Sequence, residues 1–274
     1  MRYRLLFLAI FLMIFSQVSF AYPQRIISGM PSVTEILFAL DLGDRVVGVT
    51  TNCNYPPEAR KKEKVGGFFI NLEKVVFLKP DLIIMLEDAQ KRDIKKFRDY
   101  GLNVYAINPR SVLEVMDSIV KIGEITGRKE KAQQLVSEMK RKIEPLQPKF
   151  VTLQFVLKRP RVLAVVGSNP LIVAAGGTFI DDVLKCAGAE NIAEKAKSAY
   201  PQYSFEELLR VDPDCVIIPE GAITRDEIKR DKRWQSLQAV RNDKLLFINA
   251  DILSRPGPRV VDAVEAIAKF IQVK

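Results

Sequence analysis

The chain has 274 residues, of which 48% are apolar and 27% charged, with a formal net charge of +9. That is enough apolar material for one large core or two smaller ones, and the composition excludes a disordered or fibrous protein. It contains no histidine, which removes His-dependent nucleophilic catalysis, the usual zinc sites and a His-ligated haem together.

Residues 1–21 open with Arg2 and Arg4, continue through an apolar run from Leu5 to Phe15, and end in Ser19-Phe20-Ala21. The run is shorter than the ~20 residues of a spanning helix, and the small residues stand where a signal peptidase cuts. A cleaved export signal is expected. With no cysteine after the run to carry a lipid, the expected destination of the soluble product is a periplasm. The lysines are spread over helical segments as solvated faces, so nucleic acid is not an expected partner. Cys53, Cys186 and Cys215 are an odd number, too few for a disulfide scaffold, and whether any two of them pair is open. Cys215 lies in an apolar run and reads as inert packing.

From residue 22 strands alternate with helices. "RIISGMPSVTEILFAL" runs strand, loop, helix. "INLEKVVFLKPDLII" (70–84) places a cap, Asn71, before a short helix, then Pro80-Asp81 and a buried strand. "LNVYAINPRSVLEVMDSIVKIG" runs strand, loop, long helix, completing a first lobe over 22–125. In the linker, 126–158, Ala132, Leu135, Val136, Met139 and Ile143 fall on one face of a long connecting helix, interrupted near Pro145 and Pro148. The order then repeats over 159–274. "RVLAVVGSNPLIVAAGGTFIDDVL" is again strand, loop, capped helix, and "SFEELLRVDPDCVII" (204–218) matches 70–84, with Glu206 at the place of Glu73. "KLLFINADILSRPGPRVVDAVEAIAKFI" closes the series. Ser32 with Glu35, Ser111 with Glu114, Thr178 with Asp181 and Ser204 with Glu207 have capping-box spacing, which assigns these acids a structural role. The expected fold is α/β: two doubly wound, Rossmann-like lobes with mainly parallel sheets, joined by one long helix and closing by a small rotation.

Ligands of such sheets bind at the carboxyl ends of the strands. The loops there carry Pro31, Tyr55, Phe68, Phe69 and Glu87 in the first lobe, and Asn169, Tyr200, Glu220, Asp251 and Arg255 in the second. Phe68 and Phe69 either form a platform or fold back as a plug, and Tyr55 and Tyr200 serve equally as platforms or loop anchors. Aromatic surfaces from two sides, with Arg255 and Asn169 supplying polar contacts, suit a bulky planar or amphipathic guest. There is no spaced-glycine nucleotide fingerprint, no nucleophile elbow and no matched carboxylate pair, and "AAGGTF" reads as a turn, so an enzyme is not expected.

An export signal followed in order by "NYPPEA", "NLEKVVFLKPDLII", "LKCAGAENI" and "SRPGPRVVDAVEAI" resembles, over nearly the whole mature chain, the periplasmic substrate-binding proteins of vitamin B12 and ferric-siderophore import. These are the single-helix-linked class that serves ABC transporters, and the cobalamin binders stand nearest. The resemblance implies a monomer without catalysis or cofactor, holding cobalamin or a ferric siderophore between its lobes. It also implies that Glu73 and Glu206 meet arginines of a dimeric permease. Read without it, both acids simply favour the positive end of a helix. The resemblance places tryptophans where this chain has Phe68, Leu86, Tyr200 and Ile252, and a disulfide partner for Cys186 near Ala268, which this chain lacks. Haem, through Tyr55 or Tyr200, is the alternative ligand.

Overall fold

A computed structural model describes residues 22–146 and 159–272. The expected export signal and Pro148, with the rest of 147–158, lie outside the described residues. The first sheet contains β1 (Ile26–Ser28), β2 (Val46–Val49), β3 (Glu63–Lys64), β4 (Leu82–Leu86) and β5 (Val104–Ile107). Its order is β3-β2-β1-β4-β5, parallel throughout, with the order reversing at β1. Its helices are α1 (Pro31–Ala39), α2 (Leu72–Phe77), α3 (Glu87–Asp99) and α4 (Val112–Thr126), followed by α5 (Lys129–Ile143).

The second sheet contains β6 (Arg161–Ser168), β7 (Leu171–Val173), β8 (Glu190–Asn191), β9 (Cys215–Pro219) and β10 (Leu245–Ile248). Around it lie α6 (Phe179–Cys186), α7 (Phe205–Val211), α8 (Arg225–Arg230), α9 (Lys232–Gln235), α10 (Gln238–Arg241), α11 (Ala250–Ser254) and α12 (Val260–Gln272). β6 pairs in parallel with β9 and β8, but antiparallel with β7. The stretch read as strand, loop, helix is therefore a hairpin turning at Ser168-Asn169-Pro170 before its helix begins. Apolar residues on both sides of a Gly-Ser-Asn-Pro turn are what a hairpin needs.

The capping expectations hold at the N-caps and fail for some of the acids. Asn71, Ser111, Thr178 and Ser204 each accept the N–H three residues on. Glu114 turns to the Arg110 N–H instead of completing a box, and Asp181 turns to the Gly177 N–H. A complete box forms at Thr224 with Glu227, which the sequence reading missed. Ser32 is not a cap. α1 starts at Pro31, whose fixed φ suits the first helical position, after Met30 as N-cap. Glu35 is thereby freed from the helix start.

The two matching stretches, 70–84 and 204–218, fold alike down to single hydrogen bonds. Asp81 accepts the backbone N–H groups of Gln24 and Arg25, at 2.6 and 2.9 Å, and Asp214 accepts that of Arg161 at 2.7 Å. In return the Arg25 guanidinium donates to the carbonyls of Leu78 and Lys79, and the Arg161 guanidinium to those of Val211 and Asp212. Lys79 and Asp212, each just before the proline, both take a positive φ, 46° and 40°. Each lobe thus has an Arg–Asp clamp that ties the end of its short helix to the start of its central strand.

Side-chain alternation sorts the strands into three apolar layers. Ile26 and Ile84 of the first sheet, and Val162 and Ala164 of the second, enter one shared cluster with Ile119, Val136, Met139, Val183, Val264 and Ile267. Their neighbours face outward: Ile27, Ile83 and Met85 pack with Phe97, and Leu163 and Val165 pack with Leu208 and Trp234. α5 packs on α4 and α12, and α6 packs on α4. The central core therefore belongs to both lobes. It buries Ala132, Val136, Met139 and Ile143 of α5 and partly buries Leu135, the face expected of that helix.

Candidate functional site

Because the strands, apart from the β7 hairpin arm, run parallel, the loops after them emerge on one edge of each sheet, and the structure brings the two edges together. Asn54, from the loop after β2, donates to Asp251 of α11 at 3.0 Å. At the start of α4, the Val112 N–H donates to Asp182 of α6 at 2.7 Å. Beside Asn54, sharing Arg255 with it, sits Glu35, whose side chain is only 2% exposed. A carboxylate so buried needs a counter-charge, and two arrive from the other lobe.

Arg259 grips Glu35 with both prongs, Nε to Oε2 at 2.9 Å and Nη2 to Oε1 at 2.6 Å, and Arg255 Nη1 reaches Oε1 at 3.1 Å. The hydrogen bond to Glu35 raises the Arg259 pKa above its ordinary value. Arg255 also donates to Asn54 Oδ1 at 2.8 Å and to the Asn52 carbonyl at 3.3 Å, and it pairs with Asp251 at 2.7 Å. The Arg259 guanidinium lies over the Tyr55 ring, 3.9 Å from its centroid, within cation–π range. Tyr55 is thus anchored on one side while its residue stays partly exposed.

Phe68 and Phe69 do not plug the core. Phe69 is 72% exposed, and the two rings meet edge to face at 5.3 Å. Tyr200 is half exposed in the loop after β8, and partial burial raises the pKa of its phenol. Asn169 stands exposed at the hairpin turn, and Glu220 is exposed after β9. Glu87 is exposed too, but as the first residue of α3 rather than in a loop. Pro31 is buried as the first residue of α1.

So the structure pairs Asp251 with Arg255 directly and links Tyr55 to them through Arg259 and Glu35, places Phe68, Phe69, Asn169, Tyr200 and Glu220 on loops of the same edges, and buries Pro31. Sequence reading missed Glu35, Asn54 and Arg259. The signal available was an acid on the apolar face of α1, which the Ser32 spacing disguised as a cap.

Glu73 and Glu206 occupy the same place on matching helices, second in α2 and second in α7, both exposed. Each has apolar company on its helix face: Val76 and Phe77 beside Glu73, with Phe77 83% exposed, and Leu209 beside Glu206. Under α7 the buried Trp234 packs edge to face on Phe205 at 5.3 Å. Cys53, Cys186 and Cys215 are all free thiols.

Comparison with known proteins agrees with this architecture. The family model described as "Periplasmic binding protein" matches residues 26–252. An uncharacterized ABC transporter substrate-binding lipoprotein of Bacillus subtilis, YvrC, is 37% identical, over 91% of this chain and 80% of its own. The crystal structure of the periplasmic vitamin B12 binding protein BtuF of Vibrio cholerae superimposes with a TM-score of 0.81 at 32% identity, covering 91% of this chain and 97% of that one. A possible iron-binding (periplasmic solute-binding) protein from Staphylococcus epidermidis follows at 0.79 and 30%, covering 92% and 100%. By its sheets, its facing strand ends and these matches, the chain belongs to the periplasmic binding protein family and is a binding protein rather than an enzyme.

Proposed function

We propose that this protein captures a cobamide between its lobes and hands it to the permease of an ABC importer. It would work as a monomer in the periplasm after losing residues 1–21. The observation that carries this reading is the meeting of the two strand-end edges around Glu35, Asn54, Asp251 and Arg255, with partly exposed rings of Tyr55, Phe68, Phe69 and Tyr200 on the surrounding loops. Such rings offer large flat contact area to a macrocycle at little cost in conformational entropy. The lobes, residues 22–125 and 159–274, would close on the guest with little rearrangement. A haem held through Tyr55 or Tyr200 is the second reading.

The acids of α2 and α7 supply the docking contacts in this reading. A permease built as a two-fold dimer presents equivalent basic pockets, and a monomeric partner matches them by carrying one acid on each of two similar lobes.

The ligand is tested by titrating the purified mature chain with cyanocobalamin, haemin and a ferric siderophore, followed by visible absorbance. Saturable micromolar or tighter binding of the corrinoid, with weaker binding of the other two, is expected. Preference for either iron compound would replace the corrinoid reading, and failure of all three would remove the import reading.

A further inference from the structure

We infer that Glu35 sets the ligand class of the cleft: by holding Arg255 and Arg259 it cancels the positive charge of the floor, and so disfavours anionic guests. This rests on the cleft being the ligand site, as proposed above.

A pair of arginines in the cleft of a basic protein would ordinarily be an anion receptor, since the guanidinium fork matches carboxylates and phosphates. Here the forks are occupied. Arginine has five N–H donors. For Arg255, those on Nη1 go to Glu35 and Asn54, and those on Nη2 go to Asn52 and Asp251. Arg259 presents Nε and Nη2 to the same Glu35 carboxylate, while its flat face rests on Tyr55. Two cations thus face two carboxylates, Glu35 and Asp251. The residues concerned come from both lobes, so charge cancellation and lobe orientation are one arrangement. A guest that brings carboxylates competes with Glu35 and Asp251 for these prongs, whereas a guest without them leaves the cluster intact.

The test is Glu35→Gln, which keeps the side chain's size and removes its charge, with calorimetric titration of citrate and of cyanocobalamin into the mature chain at low salt. Arg259 then loses its hydrogen-bonded carboxylate, and citrate affinity is expected to rise by about tenfold or more over the parent, falling again as salt is added. Adding Arg259→Gln should abolish the gain, which places the new anion site at the floor. If Glu35→Gln does not fold, Asp251→Asn frees one prong of Arg255 from a partly exposed partner, and a smaller gain in citrate affinity is expected. Unchanged citrate affinity in whichever of these variants fold, or a gain that survives Arg259→Gln, overturns the inference. A citrate gain in a chain that never binds cyanocobalamin keeps the charge cancellation and removes the corrinoid reading. Cyanocobalamin binding without a citrate gain does the reverse.

Discussion

Asp81 and Asp214 each sit two residues after a positive-φ residue and accept N–H groups at the start of a central strand, with Arg25 and Arg161 closing the clamp from the other side. Removing such an acceptor leaves backbone donors unpaired, so Asp214→Ala should cost about 1–3 kcal/mol of stability, read by urea unfolding. An unchanged midpoint would mean that water replaces the carboxylate. A second residue-scale prediction concerns alkali. Hydrogen bonds to Asp181 and Glu194 raise the Lys185 pKa to about 12, and burial raises that of the neighbouring Cys186 thiol to about 12. Both hold their proton more tightly folded than unfolded. The stability they confer is therefore complete below pH 9 and is lost as pH climbs from 9 toward 12. Melting temperature should fall over that range, and less steeply in Lys185→Met with Cys186→Ala; parallel curves would contradict it. At this scale the sequence was least legible. Pro-Asp could be read as a turn, but the strand it clamps lies more than fifty residues away. Glu35 was hidden because its partners, Arg255 and Arg259, come from the far end of the chain.

Helices and strands were far more readable, since periodicity and caps are local. Asn71, Ser111, Thr178 and Ser204 begin their helices as expected, and the buried face of α5 follows from its apolar spacing. The hairpin arm β7 escaped because it is only three residues long and takes its pairing from β6. The elements that carry the docking proposal are α2 and α7. If they dock on a permease, Glu73→Ala with Glu206→Ala should leave ligand affinity unchanged while abolishing uptake in cells and co-purification with the permease. Undiminished uptake would leave the two acids only their interaction with the helix dipole. Phe77→Ser extends the test to the apolar companion of Glu73, which is 83% exposed and has no visible role in the fold. A partial loss of complex formation is expected, and full retention would confine docking to the charges.

As a whole, the molecule is two repeats of one plan fused through a shared core. Rigidity was expected from the connecting helix; the lobes also share an apolar layer drawn from both sheets and from α4, α5, α6 and α12. Packed interiors do not deform smoothly, so closure on a ligand should be slight. Spin labels at Glu58 and Lys197, one on each lobe, should change their separation by less than about 2 Å when ligand binds, and a much larger change would mean that the shared core parts. The most direct measurement is a crystal structure of the mature chain grown with cyanocobalamin. The account predicts one corrinoid between the strand-end loops, against Tyr55 and the Phe68 loop on one side and the Tyr200 loop on the other, with Glu35 still gripped by Arg255 and Arg259. A corrinoid bound elsewhere on the surface, or an empty cleft at saturating ligand, would contradict it.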